Sequence, residues 1–312
     1  MTNPLTFEET FYTELNKFTT LEDLEESLKK LIQIEKSELS QAEIKKLIFD
    51  HAIILPNHYS PLPKEVINKL TVFRVRAEKT IDLNKEDLSL IRTYSYPNSA
   101  ICQSNGRANI KYKTVFYCSD NQITALAESN LEVGDIAYLG VWKNFSDREV
   151  NYATYISTNI PETNVWHNKG ADIYMQSVDY AKKYTKDKFE HLVRLQKFFS
   201  DIFLIEKKPY SLSSWVANNI LYEYNMVDFI VYPSFATEHY SCNLAIHPNY
   251  VENNLKLDCV FKLLITGKTK GSLNISVQKS GKLTGTAIIW RIPTQDEIDQ
   301  YFPHAIPIKN GG

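Results

Sequence analysis

The sequence has no basic block. Lysine and glutamate are interspersed, the formal net charge is −2 and the isoelectric point is about 6.4. Binding a nucleic-acid backbone needs clustered lysine and arginine, so this balance disfavours nucleic acid as the main partner. A local basic pocket for one small phosphate ligand stays open. No apolar run approaches the ~20 residues of a membrane span, so no membrane partner is expected. The first residues, Met-Thr-Asn-Pro-Leu-Thr-Phe-Glu-Glu, lack the charged and apolar regions of a secretory signal. Cysteine is sparse: Cys102, Cys118, Cys242 and Cys259 form no C-x-x-C pair and no zinc-finger spacing. They read as buried, reduced thiols, and the expected location is cytoplasmic. Neither a G-x-G-x-x-G nor a G-x-x-x-x-G-K-[ST] run occurs, which argues against Rossmann and P-loop folds. No compact His/Asp/Glu cluster is present, so no metal is expected. Internal repeats and low-complexity tracts are also missing.

What is there is ample core material. The chain has 312 residues, 43% of them hydrophobic and 12% aromatic, with 19 tyrosines. That suffices for one large domain or two modest ones. Tyrosine couples packing area to a polar tip, which suits a stacked ligand, although packing is its commoner use.

The N-terminal part reads as helices. Apolar spacing predicts one over 7–18. Thr20 with Asp23 opens a second, running to Ile34 with Leu21, Leu24, Leu28 and Leu31 as its stripe. Ser40 and Glu43 form a capping box for a third, ending near His51. Pro56, Pro61 and Pro63 then read as a linker. Residues 1–68 are therefore expected to be a helical module whose stripes pack on each other or on the main domain.

Leu70–Arg76 reads as a strand with Val72, Arg74 and Arg76 on one face. That face is either solvated or part of an anion pocket. Residues 90–109, rich in Asn, Ser and Pro, should be irregular. Strands are expected at 114–118, 135–142, 150–156, 228–232 and 242–246. Residues 159–170 read as a loop, 177–203 as one long helix and 211–224 as another. The C-terminal part, 266–312, reads as hairpins with turns at Gly267–Gly271 and Ser280-Gly281, then a helix over 294–301 and a loose tail at 310–312. Without a βαβ rhythm, the class is α+β with antiparallel sheets.

The stretch from Gly106 to Glu128 concentrates chemistry. It holds a loop arginine, Arg107, then a strand bearing Tyr117. Ser119 and Gln122 have capping-box spacing, and Glu128 lies on the helix they open. Asp120 and Asn121 read as helix caps. Ser234 is presented at the end of the 228–232 strand, which Pro233 stops. Each has an ordinary alternative: a solvated helix face for Glu128, core packing for Tyr117, strand termination for Ser234. His239 and His247 read as packed or surface residues, and Trp142, Trp166 and Trp215 as packing.

Six segments in order carry a resemblance to the RES family, named for a characteristic Arg, Glu and Ser. They are Phe73-Arg74, Gly106-Arg107-Ala-Asn109, Val115-Phe-Tyr117, Thr124-Ala-Leu-Ala-Glu128, Asp228-Phe-Ile-Val-Tyr-Pro-Ser234 and Asn243-Leu-Ala-Ile246. The resemblance covers roughly residues 70 to 262, with extra length between Trp142 and Tyr210. It implies a fold similar to ADP-ribosyltransferases, with split antiparallel sheets around an NAD cleft. The implied catalytic domain is 69–265, with the hairpins and helix of 266–312 packed on it. The implied activity is cleavage of the nicotinamide–ribose bond of NAD+, to water or phosphate, by an intracellular toxin of a toxin–antitoxin or defence system. NAD+ is then the substrate. Protein ADP-ribosylation is the second activity implied, and a non-enzymatic NAD-binding module the third.

On that resemblance Glu128 stabilises the ribosyl cation and Arg107 and Arg74 bind the diphosphate, with Arg76 a further candidate. Tyr117 stacks on a base. Ser234 hydrogen-bonds the nicotinamide amide or the ribose, and is not a nucleophile because no histidine is placed to activate it. Three uses are open to the N-terminal module: docking an antitoxin or immunity protein, covering the cleft, or forming a homo-oligomer.

Overall fold

The computed structural model describes residues 13–52, 59–156, 160–184, 188–269 and 272–302. The start of the first expected helix, Pro56 of the linker, the tip of the Gly267–Gly271 turn and the 310–312 tail lie outside them. The chain forms two compact units, each discontinuous in sequence. The first comprises Met1–Ser60, Cys102–Lys113 and Asn151–Tyr232; the second comprises Pro61–Ile101, Thr114–Val150 and Pro233–Gly312. The linear boundaries expected near 68 and 265 therefore do not delimit the units.

The first unit is mainly helical. The helix Leu21–Gln33 begins at a full capping box, Thr20 with Asp23, and the helix Gln41–His51 begins at another, Ser40 with Glu43. Leu24, Leu28 and Leu31 are fully buried. The first helix packs against Phe189–Ile205 and the second against Ser211–Asn218. Lys188 ties the first of these contacts, because its Nζ donates to the carbonyls of Phe18 and Thr19 at 2.5 and 2.9 Å. The two helices thus pack on each other and on helices more than a hundred residues downstream, so 1–68 is not a free-standing module. The long helix expected over 177–203 is two helices, His167–Tyr184 and Phe189–Ile205, and the first begins inside the expected loop. The helix expected over 211–224 is α-helical only over Ser211–Asn218 and continues as a π-helical turn over Asn219–Glu223.

Among the described residues the strands, in chain order, are β1 Tyr59–Leu62, β2 Thr71–Ala77, β3 Phe116–Ser119, β4 Ile136–Asn144, β5 Val150–Thr154, β6 Phe229–Pro233, β7 Cys242–Ile246, β8 Leu255–Thr269, β9 Ser272–Thr284 and β10 Ala287–Arg291. In the first unit β5 and β6 pair in parallel, Tyr152 opposite Phe229. A parallel pair needs a long crossover, and the intervening helices supply it.

In the second unit the strand order is β7-β3-β2-β4-β8-β9-β10, with every pairing antiparallel. The overall class is mixed α+β, as expected. β2 matches β4 over Thr71–Ala77, and β3 matches β7 over Phe116–Ser119. Between β2 and β3 only Phe73 and Ser119 pair, so the sheet opens beyond that point. On one face Phe73, Leu139, Val141 and Phe261 form a core beneath Ala125, Leu126 and Tyr301. These come from the helices Gln122–Ala127 and Gln295–Tyr301.

The hairpin turn expected at Ser280-Gly281 lies instead at Gly285-Thr286, where Gly285 has φ +63°. Gly281 sits inside β9 opposite Trp290, where an added Cβ would come within 2.6 Å of Ile288. Its glycine serves close packing, not a turn. Among the described residues no helix is long and apolar enough to cross a membrane.

Candidate active site

In the second unit, β3 ends at Ser119 and a short helix follows. Asn121 is its N-cap, accepting from the N–H groups of Ile123 and Thr124 at 2.8 and 3.3 Å. Of the expected caps Asn121 is the one that caps, while Ser119 and Asp120 do not. Ser119 and Asp120 stay with the sheet: Asp120 accepts from the Cys242 N–H with both oxygens at 3.3 Å. A strand residue already paired across the sheet cannot turn its hydroxyl toward a helix N-terminus. The helix ends at Ala127, and Glu128 is its C-cap. Leu126 and Leu131 are buried, whereas Ile123 is exposed.

Glu128 is exposed but not free to turn. The hydroxyl of Ser234 donates to its Oε1 at 2.6 Å, and Nδ2 of Asn243 donates to the same oxygen at 2.8 Å. Ser119 Oγ in turn donates to Oδ1 of Asn243 at 2.7 Å. Ser234 has no exposed surface and Ser119 very little. Among the described residues Oε2 of Glu128 has no hydrogen bond. The fold thus brings together two of the expected site residues, Glu128 and Ser234, which lie 106 positions apart. It adds two that sequence reasoning missed as site residues. Asn243 lay within a resembling segment without a role, and Ser119 was read as a cap. Their signal was positional: they pair directly across β3 and β7.

The loop after Ser234 is closed on itself. Ser234 N–H donates to Ser241 O at 3.0 Å and His239 N–H to Ser234 O at 2.9 Å. The Ser241 and Thr124 hydroxyls are in hydrogen-bond contact, joining this loop to the Glu128 helix. Phe235 and Tyr240 on the same loop are exposed. His247 accepts from Asn249 N–H and caps the helix Pro248–Asn254. Trp142, Trp166 and Trp215 are buried, as expected.

The arginines have separate places. Arg76 is buried, and its fork closes on Glu86 through bonds of 2.6 and 2.9 Å, with a further bond to Thr93 O. This placement corrects its assignment as an anion ligand, because the carboxylate already occupies the N–H edge that a diphosphate would take. Among the described residues Arg74 has no acidic hydrogen-bond partner. Its Nη1 donates to Tyr117 O at 2.6 Å, its guanidinium lies 5.5 Å from the Phe116 ring centre, and its Nε is buried without a partner. Burial, aided by the like charge of Arg76, pushes its pKa down to about 10. By strand alternation Arg74 leaves β2 on the face opposite Phe73, whereas Ser119, which pairs with Phe73, shares a face with Tyr117. Arg74 therefore does not belong to the hydrogen-bonded Glu128 cluster. Tyr117 is half-buried.

Arg107 lies in the first unit. Its loop is closed by the Gly106–Asn109 bridge and by Asn109 Nδ2, which donates to the carbonyls of Ile110 and Lys113. Arg107 Nη1 donates to Phe203 O at 2.6 Å, and the guanidinium lies 4.9 Å from the Tyr210 ring centre. The loop is therefore held in place, and the Arg107 charge caps the carbonyl end of Phe189–Ile205.

All four cysteines are free thiols. Cys118, Cys242 and Cys259 are buried and Cys102 is partly so. Burial pushes the Cys259 thiol up to about 12 and Cys118 well above its usual range, which makes both poor nucleophiles. Among the described residues no group of three or more His, Cys, Asp or Glu could hold a metal ion.

What the second unit offers chemically is a carboxylate anchored at one oxygen, with the other oxygen open. Such a group can stabilise a positive charge, bind hydroxyls or accept a proton. The chain matches no protein-family model and no curated protein. The resemblance to the RES family rests on the six segments themselves.

Proposed function

We propose that this protein cleaves the nicotinamide–ribose bond of NAD+. The observation that carries the proposal is the state of Glu128: Oε1 accepts from Ser234 and Asn243, and Oε2 accepts from nothing among the described residues. The C1′–N bond breaks with its electron pair moving to the nicotinamide nitrogen, which neutralises the pyridinium. Positive charge develops on C1′ and the ring oxygen. Glu128 supplies a fixed negative charge beside it, with no reorganisation needed at the moment of reaction. Water then adds to C1′ and loses a proton to solvent, giving ADP-ribose; phosphate adding instead would give the ribosyl phosphate.

Ser234 acts by holding, not by attacking. It has no exposed surface, and its hydroxyl donates to Glu128 Oε1, which keeps the carboxylate charged and in place. The resemblance gives such an activity an intracellular toxin or defence setting, with an antitoxin or immunity protein as the implied partner.

Following nicotinamide release from NAD+ tests the reading. Glu128→Gln keeps the shape and removes the charge, and is expected to lower kcat by at least ~100-fold. Equal turnover by Glu128→Gln and the unaltered protein would sink the assignment of Glu128. No release by the folded, unaltered protein would sink the activity itself.

A further inference from the structure

We propose that Ser119 and Asn243 form a positioning relay that decides which oxygen of Glu128 meets the ligand. The inference rests on the reading of Glu128 as the charge-stabilising group, and it concerns residues to which that reading gives no part.

The reasoning begins with lone pairs. A carboxylate oxygen has two in-plane acceptor sites. Those of Oε1 are taken by Ser234 Oγ at 2.6 Å and Asn243 Nδ2 at 2.8 Å. Oε1 is therefore saturated, and only Oε2 can act on a substrate. Glu128 caps the end of a short helix and is exposed, so nothing else among the described residues would keep its three side-chain torsions in one state.

An asparagine amide can face either way. Turned over, it would set Oδ1 against the Glu128 carboxylate, oxygen to oxygen. The acceptor-only carboxylate therefore favours the other orientation, and Ser119 holds it there: its hydroxyl donates to Oδ1 at 2.7 Å, leaving Nδ2 on Glu128. Neither residue can drift. They are directly paired across β3 and β7, and both are buried. One step further along, Asp120 fixes the same register. Its N–H donates to Cys242 O at 3.2 Å, and its carboxylate straddles the Cys242 N–H. The order of control is sheet register, then Ser119, then Asn243, then the open oxygen of Glu128. A site that depends on one charge in one place is built this way, with partners that never touch the substrate.

The test has one arm that needs no activity. In the 15N-labelled full chain, the Asn243 side-chain amide protons are expected to resonate apart from those of exposed asparagines. They should move in both Glu128→Ala and Ser119→Ala, while Ser119→Thr, which keeps the hydroxyl, should leave them near the unaltered position. The second arm is kinetic. Ser119→Ala and Asn243→Ala are expected to lower kcat for nicotinamide release ~10-fold with KM changed less than twofold, as loss of an aligning bond to a charged group predicts. Ser119→Thr should recover most of that loss. Ser119→Ala removes a single oxygen and keeps the strand, so it serves should Asn243→Ala fail to fold. An amide signal indifferent to Ser119→Ala overturns the relay, whatever the activity. A loss confined to KM also overturns it, because it would mean direct substrate contact. If the unaltered protein releases no nicotinamide, the functional reading fails and the amide arm alone decides the relay.

Discussion

Two arginines two residues apart on β2 have opposite electrostatic situations. Arg76 is matched by Glu86 in a two-pronged ion pair, while Arg74 is partly buried against Phe116 and the Tyr117 carbonyl with no acid in hydrogen-bond range among the described residues. Arg76→Met leaves Glu86 partly buried and unpaired and should cost about 3 kcal/mol, read as a fall in urea midpoint. Arg74→Met should leave that midpoint unchanged or raise it, because burial already disfavours its charged form and drives its pKa down to about 10. A large destabilisation by Arg74→Met would mean that its bond to Tyr117 O outweighs desolvation. Arg107→Ala removes the tie to Phe203 O and the stack on Tyr210, and should speed hydrogen exchange at the C-terminal turn of Phe189–Ile205. At this scale the sequence made Glu128 and Ser234 legible, because the resembling segments named them. It could not show that Arg76 is matched internally, since Glu86 lies on the far side of a helix and a turn.

Capping boxes were legible where nothing competed for the serine or threonine. Thr20 and Ser40 cap the helices expected of them, and Thr294, read as the first residue of the last helix, is its cap. Ser119 has the same spacing to Gln122 and does not cap, because the sheet already holds it. The C-terminal helix Gln295–Tyr301 shows how a cap can also set pH behaviour. Burial alone would raise the Glu297 pKa, but hydrogen bonds from Arg291, the Thr294 N–H and Lys282 prevail and hold it at about 2. Its ordinary value is 4.5. A depressed carboxylate pKa contributes stability above the unfolded value, and that contribution is lost as pH falls through the folded one. Thermal stability should therefore drop between about pH 4.5 and 2. Glu297→Gln should remove that part of the drop and lower the melting temperature at pH 7. A pH profile identical in Glu297→Gln would refute the clamp.

On the scale of the whole molecule, each unit is assembled from segments far apart in sequence. Deleting residues 1–52 removes the helices that cover Phe189–Ile205 and Ser211–Asn218. It is expected to expose buried Leu192, Leu195 and Trp215 and to make 189–218 the first site of proteolysis. Survival of protection across 189–218 in the truncated chain would show that this unit does not need its N-terminal helices.

The sequence by itself determined the mixed α+β class, the positions of most strands, the capped helices and the identity of the charged and hydroxyl groups. Those follow from propensity, periodicity and short-range hydrogen bonding, which act within a few residues. Only the tertiary structure decided the parallel β5–β6 pair, the discontinuous units, the matching of Arg76 and the relay from Ser119 through Asn243 to Glu128. Each depends on which residues meet across more distant segments. That choice is made by burial of apolar faces and the register of paired strands, and neither is written into any one stretch of the chain.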